Sequence, residues 1–198
     1  MRSLSEFWRH LTGDDDAAPE GKLQGDAMIQ RGDVVAREGR GADDLLAIQA
    51  VRRVVFHDEQ GFVGELVTDH DDVGSFQAIA TIPPPANLPA DSPPDLIVDG
   101  RLVVSVGRLT LGRAPGSEAQ ITWVATLPAY RGAGAGAAVM RLLLRAADEA
   151  GAPSVKLSSQ GHAVPFYRRL GFVPIGAPYE IRGMPHQLMA RWRGPATG

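Results

Sequence analysis

One turn constrains this chain more than any other stretch. An apolar, strand-like run, Ile121 to Pro128, passes through Tyr130-Arg131-Gly132-Ala133-Gly134-Ala135-Gly136 into a helical stretch that ends near Ala150. After Arg131 the turn carries no side chain larger than a methyl group. Such a turn must either pack tightly or let something approach its backbone. A helix N-terminus has backbone N–H groups without intrahelical partners and a partial positive charge, so glycines there make a cradle for an anion. Arg131 adds a fixed cation suited to a phosphate. The helix behind the turn is anchored by an expected apolar stripe of Val139, Leu142, Leu143, Ala146, Ala147 and Ala150, and Gly151 and Pro153 stop it.

The remaining segments set the architecture around this turn. Residues 1–30 read as an N-terminal extension, a short helix with a flexible acidic link, and residues 31–198 as one domain. Asp33 to Arg37 is a short strand candidate. Ala42 to Phe56 is a helix with Leu45, Ile48, Val51 (or Arg52) and Val55 on one side. Ser75 to Ile82 reads as a strand. It runs into a loop, 83–94, with six prolines in twelve residues, which excludes a central strand or a helix. A long strand opens at Asp99-Gly100, and Ser154 to Ser159 is another. Ala163 to Leu170 is a short helix, and Tyr179 to Trp192 a hairpin turning at Arg182-Gly183. Several strands come first, then strand–helix–strand–helix, then a hairpin. The expected class is α/β with α+β character: a central mixed β-sheet flanked by helices.

Composition narrows the partners. The chain has 198 residues, a net charge of −3 and no cysteine. That balance offers no basic footprint for nucleic acid or an anionic membrane, and thiolate metal sites, disulfides and cysteine nucleophiles are excluded. No apolar run approaches a membrane span, and the N-terminus has no signal-peptide core. The expectation is a cytoplasmic protein without a metal. A magnesium-nucleotide loop would require Lys and a hydroxyl residue after the glycines, where Ala137 and Ala138 stand. A dinucleotide fingerprint would belong on the first strand of its unit, with an acid about 20 residues on; this turn lies two thirds along the chain.

Arg131-x-x-Gly134-x-Gly136 resembles the acyl-donor loop of the GNAT N-acetyltransferases. Phe166-Tyr167-x-x-Leu170-Gly171-Phe172 resembles the same family's later helix. Val51 to Phe62, with its V-F-x-x-E-Q-G pattern, and Gly183 to Met189 are similar to a small bacterial branch of it. The resemblance spans roughly residues 33 to 192. The chain departs from the family pattern in its N-terminal extension, its proline-rich insertion and a loop poor in lysine and arginine.

The resemblance implies an acyl-CoA N-acyltransferase fold and transfer of an acetyl group from acetyl-CoA to a primary amine of a small molecule. The alternative is a non-catalytic acyl-CoA-binding sensor on the same fold. By the same resemblance, Arg131, Gly132, Ala133, Gly134, Ala135, Gly136 and Ala137 hold the pyrophosphate. Trp123, Val124, Ala125 and Thr126 pair with the pantetheine arm, and a backbone N–H near Val124 polarises the thioester carbonyl. Tyr167 is the acid for the departing thiolate. Glu59, Glu65, His162 and His186 are candidates on the acceptor side, with no base assigned among them. The acids between residues 57 and 72 read either as a rim that attracts a cationic amine or as a solvated loop. A homodimer is plausible by resemblance alone.

Overall fold

The computed structural model describes residues 31–62, 68–88, 92–114 and 116–194. The expected N-terminal extension, Glu65 and the middle of the proline-rich loop lie outside them. The strands are β1 (Val35–Glu38), β2 (Phe76–Ile82), β3 (Ile97–Val98), β4 (Arg101–Thr110), β5 (Ala119–Thr126), β6 (Ser154–Gln160), β7 (Val173–Pro174), β8 (Tyr179–Ile181) and β9 (Met184–Trp192). The helices are α1 (Gly41–Arg52), α2 (Ala135–Glu149) and α3 (Val164–Arg169). A single mixed sheet runs β1-β2-β4-β5-β6-β9-β7, with β3 beside β4 and β8 beside β9. All its pairings are antiparallel except β5 with β6. Among the described residues no helix is long and apolar enough to cross a membrane.

Both expected hairpin turns form. Asp99 and Gly100 have φ of 51° and 70°, and Arg182 and Gly183 have 52° and 75°. Positive φ at both central residues matches the twist of the flanking strands. The Asp99-Gly100 turn joins β4 to β3, a two-residue strand too short to show any sequence periodicity.

The two long helices cover opposite faces of the sheet, as adjacent residues of β4 demonstrate. A Cβ on Gly107 would lie 2.9 Å from side-chain carbons of both Val139 and Leu143, so α2 descends onto β4 there. Arg108, the next residue, reaches the other way to Asp69 and Asp72. Helix α2 lies across β1, β2, β4 and β5. Its buried face is accordingly wide and turned: Ala135, Val139, Met140, Leu143, Leu144 and Ala147 are buried, and the expected Ala150 is exposed.

Helix α1 keeps Ile48 and Val51 of its expected stripe buried, with Arg52, the offered alternative to Val51, and Val55 just beyond the helix buried as well; it departs at Leu45, which is 40% exposed while Asp44 is 2% exposed. Asp44 accepts two hydrogen bonds from Arg37 (2.6 and 2.7 Å) and one from the Arg40 N–H (2.7 Å). Burial alone would raise the pKa of Asp44, but these donors outweigh it and hold the carboxyl below its ordinary value. Beyond Arg52 the helix widens into a π-helical segment, Arg53–Glu59. Such widening re-aims side chains and is common at functional sites. Here it carries Phe56, His57 and Glu59.

Candidate active site at the split between β5 and β6

Strands β5 and β6 pair only at their start, Ala119 with Val155 and Gln120 with Lys156. Strand β6 stays paired with β9 along its whole length, from Ser154–Trp192 to Gln160–His186. The sheet therefore splits beyond Gln120, and the β5 edge from Ile121 to Thr126 has no partner strand on that side. A cavity of about 1070 Å³ occupies the split. Unpaired strand edges are binding templates for extended ligands.

The expected donor residues converge on this cavity. Trp123, Val124, Ala125, Thr126, Arg131, Gly132 and Gly134 to Ala137 line it; Ala133 is the exception. The glycines of the turn serve three different purposes. Gly132 and Gly134 have φ of 78° and 90°, a conformation that side chains disfavour. Gly134 caps α2, which leaves the N–H groups of Ala135, Gly136 and Ala137 without intrahelical partners. Gly136 is a packing glycine: a Cβ there would lie 3.1 Å from Thr126 Oγ1 and 3.8 Å from a ring carbon of Phe166.

Arg131 departs from the expectation of a cation free for phosphate. Its two terminal nitrogens donate to the Glu59 carboxylate at 2.7 and 2.6 Å, and its Nε donates to the Thr126 carbonyl at 3.2 Å. The pair straps the π-helical segment to the end of β5. Glu59 does not line the cavity, and both its oxygens are engaged, so bracing suits it better than proton abstraction. Two other cations, Arg141 on α2 and Arg169 on α3, do line the cavity. Sequence reasoning gave them no phosphate role: Arg141 lies off the apolar stripe of α2, and Arg169 fills an unspecified position of the F-Y-x-x-L-G-F pattern.

At the α1 face, Trp123 adopts φ 56°, left-handed backbone at a bulge between β4 and β5. Such strain costs about 1–3 kcal/mol and persists only where the surroundings impose it. Here Trp123 Nε1 donates to Asp69 at 2.9 Å, its ring lies 5.0 Å from the Arg52 guanidinium, and Phe56 meets it edge-on at 5.2 Å. Asp69 in turn pairs with buried Arg108, whose Nε donates to Thr122 at 3.1 Å. Asp72 joins both arginines, accepting from Arg52 (2.9 and 3.0 Å) and Arg108 (2.9 Å), and from Gln77 (2.9 Å). Burial alone would raise the Asp72 pKa, but Arg52, then Arg108 and Gln77, lower it to about 2. Asp69 and Asp72 thus form neither an acidic rim for a cationic amine nor a solvated loop. They neutralise two buried arginines and brace the bulge.

Tyr167 lines the cavity from α3 and is 8% exposed. Its ring packs edge-on between Phe166 (5.0 Å) and Phe172 (6.0 Å). Among the described residues its hydroxyl has no hydrogen-bond partner. Burial pushes its pKa well above the ordinary phenol value, so the proton stays on. His186 is buried, lines the cavity, and places Nδ1 2.9 Å from the Met184 carbonyl. That contact puts the proton of a neutral ring on Nδ1 and leaves Nε2 as the basic nitrogen. His162 also lines the cavity. The residue is exposed, yet surrounding protein lowers its pKa, helped by Arg131 and His186 and opposed by Glu59. A neutral imidazole is favoured there.

A mixed sheet split between two parallel strands, with a helix N-terminus at the split, defines an acyl-CoA N-acyltransferase fold. Solved structures share it. An acyl-CoA N-acyltransferase from Pseudomonas aeruginosa is 27% identical, with a TM-score of 0.62 over 80% of this chain and 98% of that one. ElaA of Escherichia coli is 22% identical, with a TM-score of 0.64 over 80% of this chain and 99% of that one. An uncharacterized N-acetyltransferase, YjcF of Bacillus subtilis (strain 168), is 30% identical over 97 residues, 48% of this chain and 67% of that one. Residues 98–192 match the acetyltransferase (GNAT) domain. The chain belongs to the GNAT acetyltransferase family.

Proposed function

We propose that this chain transfers an acetyl group from acetyl-CoA to the primary amine of a small molecule, by direct attack in a ternary complex. The split between β5 and β6 carries the reading, because it places an unpaired strand edge, a bare helix N-terminus and a buried phenol on one cavity. The residues present suit coenzyme A: free N–H groups in the first turn of α2, two positive-φ glycines before it, and Arg141 and Arg169 on the same cavity. The N–H groups from Gly132 to Ala137 would hold the pyrophosphate, and the β5 edge from Trp123 to Thr126 the pantetheine arm. Acetyl-CoA supplies the activated acyl carbon.

Each protein group then has a defined task. A backbone N–H near Val124 stabilises negative charge on the thioester oxygen. His186 Nε2, directly or through water, takes a proton from the acceptor amine. Tyr167 donates a hydrogen bond to the departing sulfur. Burial keeps the phenol protonated, which suits a hydrogen-bond donor or acid at that sulfur.

The test is turnover. Acetyl-CoA and a panel of primary amines should yield free CoA and the acetamide in equal amounts. Tight CoA binding without turnover across the panel would instead make the chain an acyl-CoA sensor. NADH binding without CoA binding would remove it from this class of chemistry.

A further inference from the structure

The geometry points to an acceptor that carries its primary amine on an aromatic or similarly flat apolar body, not on a polycationic one. This rests on the reading that the split takes acetyl-CoA, and it concerns the opposite wall.

The two walls separate by sheet face. The first turn of α2 and Phe166 lie on the α2 face, where Thr126 and Ser105 also point. On the α1 face stand Phe56, Phe62 and Trp123, all partly exposed and all lining the cavity. Phe56 stacks on Phe62 at 6.4 Å with 13° between planes, and meets Trp123 edge-on at 5.2 Å. Ile181, from β8, also lines the cavity, and the guanidinium of the next residue, Arg182, lies 5.6 Å from the Phe62 ring. Gln160 Nε2 donates to Gln60 Oε1 at 2.9 Å, a neutral bridge between the end of β6 and the residue after the π-helical segment.

Charge tells the same story. Among the described residues lining the cavity none is Asp or Glu. Three described acids nearby are engaged: Glu59 with Arg131, Asp69 with Arg108 and Trp123, and solvent-exposed Asp58 with His57 at 2.9 Å. A site for a polyamine or an aminoglycoside needs carboxylates to offset several desolvated ammonium groups. This wall instead offers the partly exposed rings of Phe56, Phe62 and Trp123. That the described lining holds no carboxylate also suits the chemistry, because a neighbouring anion would hold the amine protonated. The amine nitrogen bonds to the acetyl carbon, the C–S bond breaks with its electron pair on sulfur, and the proton lost by nitrogen leaves through His186 or water, finally to protonate the CoA thiolate.

Calorimetry on the full chain saturated with CoA tests this with phenethylamine, spermidine and kanamycin as probes. Phenethylamine should bind at least about tenfold more tightly than either polycation. Ile181→Glu, at a position 40% exposed and so tolerant of a charge, should shrink that ratio at least about fivefold by adding a carboxylate to the cavity lining. Spermidine or kanamycin binding as tightly as phenethylamine, no binding by any of the three, or an unchanged ratio in Ile181→Glu would each overturn the proposal. Failure of the chain to bind CoA at all would instead overturn the reading of the split, a result the same titration reports first.

Discussion

Ala137→Glu should weaken CoA binding at least about a hundredfold, equivalent to about 2.7 kcal/mol, while leaving the melting temperature unchanged or slightly higher. Ala137 is the third residue of α2 and lines the cavity. A carboxylate in the first turn of a helix is favourable, because it faces the positive end of the macrodipole and can answer the free N–H groups. Facing a pyrophosphate it is repulsive: two like charges about 4 Å apart cost about 4 kcal/mol at an effective dielectric of about 20. The variant separates a cradle from a merely tight turn. A bulky residue at Gly134 would not, since φ of 90° strains any side chain whether or not a ligand is present. Calorimetry for CoA and a thermal melt check both halves. Undiminished CoA affinity would mean that the first turn of α2 binds no phosphate.

Tyr167→Phe should lower kcat about a hundredfold, the usual loss on removing one preorganised donor to developing charge, with CoA affinity changed little. The fold should not suffer. The hydroxyl has no partner among the described residues, so its removal leaves no orphaned group behind. The ring contacts with Phe166 and Phe172 stay in place. Because the raised pKa keeps the phenol protonated, the rate should show no alkaline limb from Tyr167 around its ordinary pKa of about 10. Steady-state kinetics with acetyl-CoA saturating would read both effects. A kcat equal to that of the parent would reduce Tyr167 to a core residue.

The glycine-alanine turn and the F-Y-x-x-L-G-F helix were legible because each is contiguous, with its chemistry in the local spacing. The hairpins at Asp99-Gly100 and Arg182-Gly183 were legible for the same reason. What escaped the sequence depends on residues far apart along the chain. Arg131 read as a phosphate cation, yet Glu59, 72 positions earlier, holds it at 2.6 Å. The acids at 69 to 72 read as a surface feature because their counter-ions, Arg52 and Arg108, sit on a helix and a strand that look apolar by periodicity. Leu45 reads as part of the α1 stripe by helical spacing, yet its neighbour Asp44, paired with Arg37, is the buried one. Arg141 and Arg169 gave no sign, because an arginine on a helix surface looks the same whether it faces solvent or a cavity. The wall of Phe56, Phe62 and Trp123 assembles only when the π-helical segment meets the bulge in β5.

The central claim is that the acyl donor lies in the split between β5 and β6. Amide hydrogen exchange, with and without saturating CoA, tests it most directly. Protection should rise at Trp123 to Thr126 and at Gly132 to Ala137, where unpaired N–H groups acquire acceptors, and β1, already paired with β2 far from the split, should not respond. CoA binding that protects some other surface, and leaves residues 123–126 and 132–137 exchanging as before, would contradict the account.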